Sequence, residues 1–154
     1  MKLYIKQRAF NWFESYNVFD EDGNVVYTIK GELSWGHCLR IYDTEEKEVG
    51  MIKEKRDTLL PKFEMYVDGN YIGSISKEFS DFKTTYKMDF NGWHIEGDVP
   101  EWEYQIYNAT GYQVANISKE VLNWTDAYRM KTTNPRDDLY ALMLIVAIDA
   151  EKNS

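Results

Sequence analysis

Over residues 5–130 the apolar positions fall in short alternating runs that recur in one frame. Residues 75–88 read Ile-Ser-Lys-Glu and then Phe82, Tyr86, Lys87 and Met88; residues 117–130 read Ile-Ser-Lys-Glu and then Trp124, Tyr128, Arg129 and Met130, at a constant offset of 42. The same frame, an Ile followed by a bulky-polar-bulky triplet, recurs more weakly as Ile5 with Tyr16-Asn17-Val18 and Ile52 with Phe63-Glu64-Met65, both at spacing 11. Ile29 with Leu39-Arg40-Ile41 at spacing 10 and Ile95 with Tyr104-Gln105-Ile106 at spacing 9 complete six copies. Alternation with period two marks a strand with one buried face. Six copies at an average step of about 22 residues, each with two such runs, predict six hairpins and twelve strands over about 3–131.

Turn residues separate the runs. Four triplets are followed by an aromatic and then Asp or Asn: Phe19-Asp20, Tyr42-Asp43, Tyr66-Val67-Asp68 and Tyr107-Asn108. Asp22-Gly23-Asn24, Asp68-Gly69 and Asn91-Gly92 supply the positive φ angles of tight hairpins. One feature does not fit a regular strand. An apolar residue stands three before the Ile in Val26/Ile29, Val49/Ile52, Ile72/Ile75 and Val114/Ile117. An odd spacing puts two side chains on opposite faces, so either a bulge intervenes or both faces are partly covered.

The period then changes. Asn134 as N-cap, Pro135 at the first helical position, and Asp137 and Asp138 in the first turn start a helix over about 135–149. Leu139 to Ile148 runs apolar on every side. Ten residues of helix span roughly 15 Å against the roughly 30 Å of a bilayer core, so the reading is a buried helix and not a membrane span. An eight-stranded barrel fills its own interior, whereas twelve strands leave a lumen that a helix about 10–12 Å across would fill. The predicted fold is therefore mostly β with one buried helix: a twelve-stranded antiparallel closed β-barrel around a central apolar C-terminal α-helix, in one domain spanning 1–154.

Composition narrows the function. With 44% hydrophobic and 29% charged residues the chain can bury a core. A net charge of −8 argues against the broad basic footprint of a nucleic-acid binder. The single Cys38 excludes an internal disulfide and any Cys-based zinc cluster, and the start, with Lys2, Lys6 and Arg8, has no apolar run of a signal peptide. The expectation is a cytoplasmic protein without cofactor or metal, and the sequons at Asn108, Asn116 and Asn123 then carry no weight.

The order of Met1 to Ile5, Phe10-x-Trp12, the Val18-Phe19-Asp20-x-x-Gly23 turn, Leu60-Pro61-x-Phe63-Glu64 with Tyr66, the paired Ile-Ser-Lys-Glu units, Gly97-Asp98 and the helix ending Ala147-Ile148-Asp149 resembles the LURP-one-related family, within the superfamily of tubby C-terminal domains and phospholipid scramblases. The compact length is similar to bacterial members. The resemblance implies the same helix-filled barrel and a non-enzymatic binding or scaffold domain, whose partner is an anionic phospholipid or phosphoinositide headgroup or another protein. The tubby phosphoinositide motif has no residue-by-residue match here, and neither does the added membrane-spanning end of scramblases.

The densest basic stretch is Lys53, Lys55, Arg56 and Lys62, interrupted by Glu54 and Asp57. Lys53 and Lys55 share a strand face, and a phosphate near them would gain charge-assisted hydrogen bonds, which makes these four residues the candidate ligand site. Asp20-Glu21-Asp22-Gly23-Asn24 lacks the twelve-residue frame and distal Glu of a calcium loop and reads as a hairpin turn. His37 and Cys38 are neighbours on a strand, hence on opposite faces, and make a poor base–nucleophile pair without help from His94. Glu96, Asp98, Glu101 and Glu103 are the acids for an alternative reading, a hydrolase with paired carboxylates at a barrel end. Of the tryptophans, Trp12, Trp35 and Trp124 share with Leu59 and Phe82 the position four before the triplet; this reads as barrel wall, with a partner-binding aromatic surface that also includes Trp93 and Trp102 as the alternative.

Overall fold

The computed structural model describes residues 1–6, 15–34, 36–80, 83–122 and 125–152. Twelve strands follow in order: β1 Lys2–Lys6, β2 Ser15–Phe19, β3 Val25–Ser34, β4 Gly36–Tyr42, β5 Glu48–Lys55, β6 Lys62–Val67, β7 Asn70–Ser80, β8 Lys83–Asp89, β9 His94–Asp98, β10 Glu103–Tyr107, β11 Gln113–Leu122 and β12 Thr125–Thr132. A single 3-10 turn, Pro135–Asp137, leads into α1, Asp138–Lys152. All pairings are antiparallel, and one sheet runs β8-β7-β6-β5-β4-β3-β2-β1-β12-β11-β10-β9, curling into a nearly closed barrel whose two edges, β8 and β9, lie side by side. Phe90 plugs that seam, edge-on to Trp93 at 4.9 Å and against Tyr140 of α1 at 5.3 Å.

The repeat is the register. In each hairpin the Ile of the frame stands opposite the third residue of its triplet: Ile5 and Val18, Ile29 and Ile41, Ile52 and Met65, Ile75 and Met88, Ile95 and Ile106, Ile117 and Met130. Eleven of these twelve side chains are buried and Ile95 packs against the same core. The odd three-residue spacing is a bulge. Phe19 pairs with Val25 but Val18 with Tyr27, which makes Val26 the extra residue; Val49, Ile72 and Val114 are extra in the same way opposite Ile41/Tyr42, Met65/Tyr66 and Ile106/Tyr107. The bulge turns each of the four toward the core, where Val114 is buried and the others pack half-buried.

Three turns share one device. The side chain of Asp20, Asp43 or Asn108 accepts from the backbone N–H two and four residues on, at 2.9–3.0 Å. The acid-rich Asp20 loop is thus a hairpin turn, and the hydrogen bond from the Asn24 amide leads the effects that hold its carboxyl below the ordinary value. Asp68-Gly69 and Asn91-Gly92 carry the positive φ angles the turns require.

α1 fills the barrel, with every residue from Ala141 to Glu151 buried. Asn134 caps its start by accepting from Arg136 N–H at 3.1 Å, and Thr132 Oγ1 donates to the Asp138 carboxylate. Close approach of helix to wall needs Gly50, where a Cβ would come 3.1 Å from Met143 Sδ. Among the described residues no helix is long and apolar enough to cross a membrane.

Candidate functional site at the barrel end

Antiparallel pairing carries the β5–β6 and β9–β10 loops to the end of the barrel where α1 finishes. There the helix turns polar. Glu151, buried, accepts from Lys77 Nζ of β7 at 2.8 Å and from the Tyr86 hydroxyl of β8. Lys152 donates to the carbonyls of Val99 and Pro100 at 3.3 and 2.8 Å and lies 3.9 Å over the Trp102 ring, which ties the helix end to the β9–β10 loop. Trp102 in turn stacks on Tyr128 at 4.3 Å.

On the other side of the mouth, His37 Nδ1 of β4 lies 2.9 Å from Glu54 Oε2 of β5, and Arg56 Nε lies 3.2 Å from Glu54 Oε1. With Lys55, Thr58, Leu59, Pro61, Phe63 and Glu151 these groups line an open cleft of about 380 Å³. Both carboxylates of the cleft already have a cationic partner: Glu54 in Arg56 and Glu151 in Lys77.

The four basic residues singled out in the sequence gather at this end but do different things. Lys53, Lys55 and Lys62 alternate with the buried Ile52 and Phe63 and so face outward. Lys53 stands directly opposite the oppositely charged Glu64, although among the described residues the two form no ion pair. Lys55 stands directly opposite Lys62, and among the described residues neither forms an ion pair. Two ammonium groups face to face across an antiparallel ladder repel each other, so the arrangement is one that a bridging anion stabilises. Arg56 turns to Glu54 at the rim of the cleft.

The other candidates resolve as follows. Cys38 faces away from His37 and is buried, and burial pushes its thiol up from the ordinary value; it forms no pair with His37, and His94 sits on β9, stacked on Tyr107 at 5.6 Å. Glu96, Asp98, Glu101 and Glu103 are exposed along β9–β10, where Asp98 and Glu103 accept from the Glu101 and Lys119 amides. None of them lines the cleft. Trp93 and Trp102 are buried, in the turns just before β9 and β10, while Trp12, Trp35, Phe82 and Trp124 lie outside the described residues, as do Phe10 and Asn123. Leu59 departs from the wall reading. It is fully exposed at the tip of the β5–β6 loop, with Leu60 beside it at 40% exposure, because the strand pairing stops at Lys55 and Lys62 and leaves residues 56–61 as a loop.

The LURP-one-related family model matches residues 1–149. The chain belongs to the LURP-one-related family. Among curated proteins it is similar to the uncharacterised protein YxjI of Bacillus subtilis (strain 168), at 24% identity over 150 residues that cover 97% of this chain and 92% of that protein. Among solved structures it resembles the X-ray structure of a protein from Arabidopsis thaliana, with a TM-score of 0.62 at 11% identity, covering 96% of this chain and 90% of the other. At that identity the likeness concerns the fold, which is the helix-filled LURP-one-related barrel. The sequence did not single out the His37–Glu54–Arg56 and Lys77–Glu151–Tyr86 groupings, since each joins residues from different strands or the helix; an inward-facing Glu at position 54 of a strand was the signal that could have pointed to the first.

Proposed function

We propose that this LURP-one-related chain is a non-enzymatic binding domain that recognises the phosphate of an anionic lipid headgroup at the β5–β6 end of its barrel. The observation that carries the reading is the Lys55–Lys62 pair, directly opposed on the outer face, with the adjoining Arg56 paired to Glu54, Glu151 paired to Lys77, and Asp57 the one acid of the loop between the two lysines. A phosphate placed between two ammonium groups replaces a repulsion with two charge-assisted hydrogen bonds. The net charge of −8 makes this end a local exception, so binding depends on proximity and falls with salt. Family membership supports a binding-type domain.

The test is co-sedimentation with vesicles. Lys55→Glu/Lys62→Glu keeps a like-charge pair in the same place, so the fold is under the same local strain while the sign is reversed. Each basic group near an anionic surface is worth about 1 kcal/mol, and reversing two should weaken binding to phosphatidylserine vesicles more than about tenfold at low salt. Unchanged binding, or equal binding of the native chain to neutral phosphatidylcholine vesicles, would overturn the reading.

A further inference from the structure

The loop that joins the two lysine-bearing strands ends in an unusual tip. Five other described hairpin tips are polar or glycine, Asp22-Gly23, Glu45-Glu46, Asp68-Gly69, Asn91-Gly92 and Thr110-Gly111, and the Val99–Trp102 turn of β9–β10 keeps both of its large apolar side chains buried. The β5–β6 tip is Leu59-Leu60, with Leu59 fully exposed and Leu60 40% exposed. It is also held in shape. Thr58 Oγ1 lies within hydrogen-bond distance of both the Lys55 and the Leu60 carbonyl oxygens, at 3.2 and 2.8 Å, and the Lys77 N–H donates to the Pro61 carbonyl at 2.9 Å, pinning the returning limb to β7. A fully exposed Leu59, with Leu60 partly exposed beside it, leaves apolar surface in water that the fold of this chain does not cover.

Their surroundings indicate what covers them. Lys55, Arg56 and Lys62, with Asp57 as the one acid among them, flank the tip at the ends of β5 and β6, which sets a net-positive collar behind an apolar point. That order matches the layering of an anionic bilayer, phosphates outside and acyl chains inside, and long lysine and arginine side chains accommodate it by keeping their charges at headgroup level. We propose that Leu59 and Leu60 insert into the acyl layer of an anionic bilayer while the flanking cations hold the lipid phosphates. This rests on the headgroup reading above and adds a salt-resistant, apolar component to it.

The full chain is compared with Leu59→Asn/Leu60→Asn, which alters only exposed side chains, on phosphatidylserine–phosphatidylcholine vesicles at low and high salt. The expected result is a residual binding of the native chain at high salt that the variant lowers by about tenfold or more. A Leu59→Cys chain carrying an environment-sensitive fluorophore should shift its emission to the blue on these vesicles, with the native chain, whose Cys38 is buried, as labelling control. If the native chain binds, Lys55→Glu/Lys62→Glu abolishes binding and the asparagine variant binds like the native chain without an emission shift, the insertion is overturned and the headgroup reading stands. If the native chain binds no anionic vesicle, both fall. A native chain that sediments as a dimer and is made monomeric by Leu59→Asn/Leu60→Asn overturns insertion in favour of a second copy on the tip.

Discussion

Tyr86, Tyr104 and Tyr128 surround the last turn of α1, and burial is the main reason that each hydroxyl holds its proton above the ordinary tyrosine value of 10. Carboxylates push the same way, Glu151 on Tyr86 and Asp149 on Tyr104 and Tyr128. The folded chain therefore keeps protons that the unfolded chain releases near pH 10. The stabilisation is fully present below that pH and is lost as the pH rises toward the raised native values, with a slope of up to about 1.4 kcal/mol per pH unit for each group. Urea unfolding should show a midpoint that falls steeply from about pH 9 to about pH 11, with tyrosinate absorbance appearing together with the loss of fold. A midpoint that holds across that range would contradict the burial of these hydroxyls. None of this was legible in the sequence, where the three tyrosines read only as the first members of bulky-polar-bulky triplets; their shared environment arises because β8, β10 and β12 all turn the first residue of the triplet toward the polar end of the helix.

At the scale of the element, the hairpin with its bulge is the unit that repeats. The twelve strands were legible because one buried face imposes period two on every run, and the odd spacing before each Ile showed that something interrupts the pleat. Which interruption it was required the pairing: Tyr42 opposite Glu48 and Ile41 opposite Gly50 leave Val49 unmatched. A bulged Val49 points to the core, and Val49→Asp should cost about 2 kcal/mol or more in chemical denaturation by placing a carboxylate against the helix-filled interior. A loss within about 0.5 kcal/mol, as for an outward surface position, would show that the residue does not face inward. The closing helix was legible from its Asn-Pro start and its all-round apolarity, which only a surrounding wall can satisfy.

For the whole molecule, the barrel separates two ends. The end where α1 begins is made of short turns closed by their own Asp and Asn side chains, while the end where α1 finishes collects the Glu54 and Glu151 networks, the Lys55–Lys62 pair and the leucine tip. The basic residues were legible as a cluster in the chain. Their division into a Lys53 across from Glu64, a rim Arg56 and an opposed lysine pair was not, because it depends on which residues of β5 and β6 stand across from each other. Leu59 was misread as wall because the repeat frame continues through a loop that has left the sheet. The most direct measurement is a backbone amide chemical-shift titration of the full chain with a soluble inositol phosphate, read residue by residue. Shifts concentrated at Lys53 to Arg56 and at Lys62, reduced by Lys55→Glu/Lys62→Glu, are the expected result; shifts confined to the opposite end of the barrel, or none at all, would contradict anion recognition at the β5–β6 end.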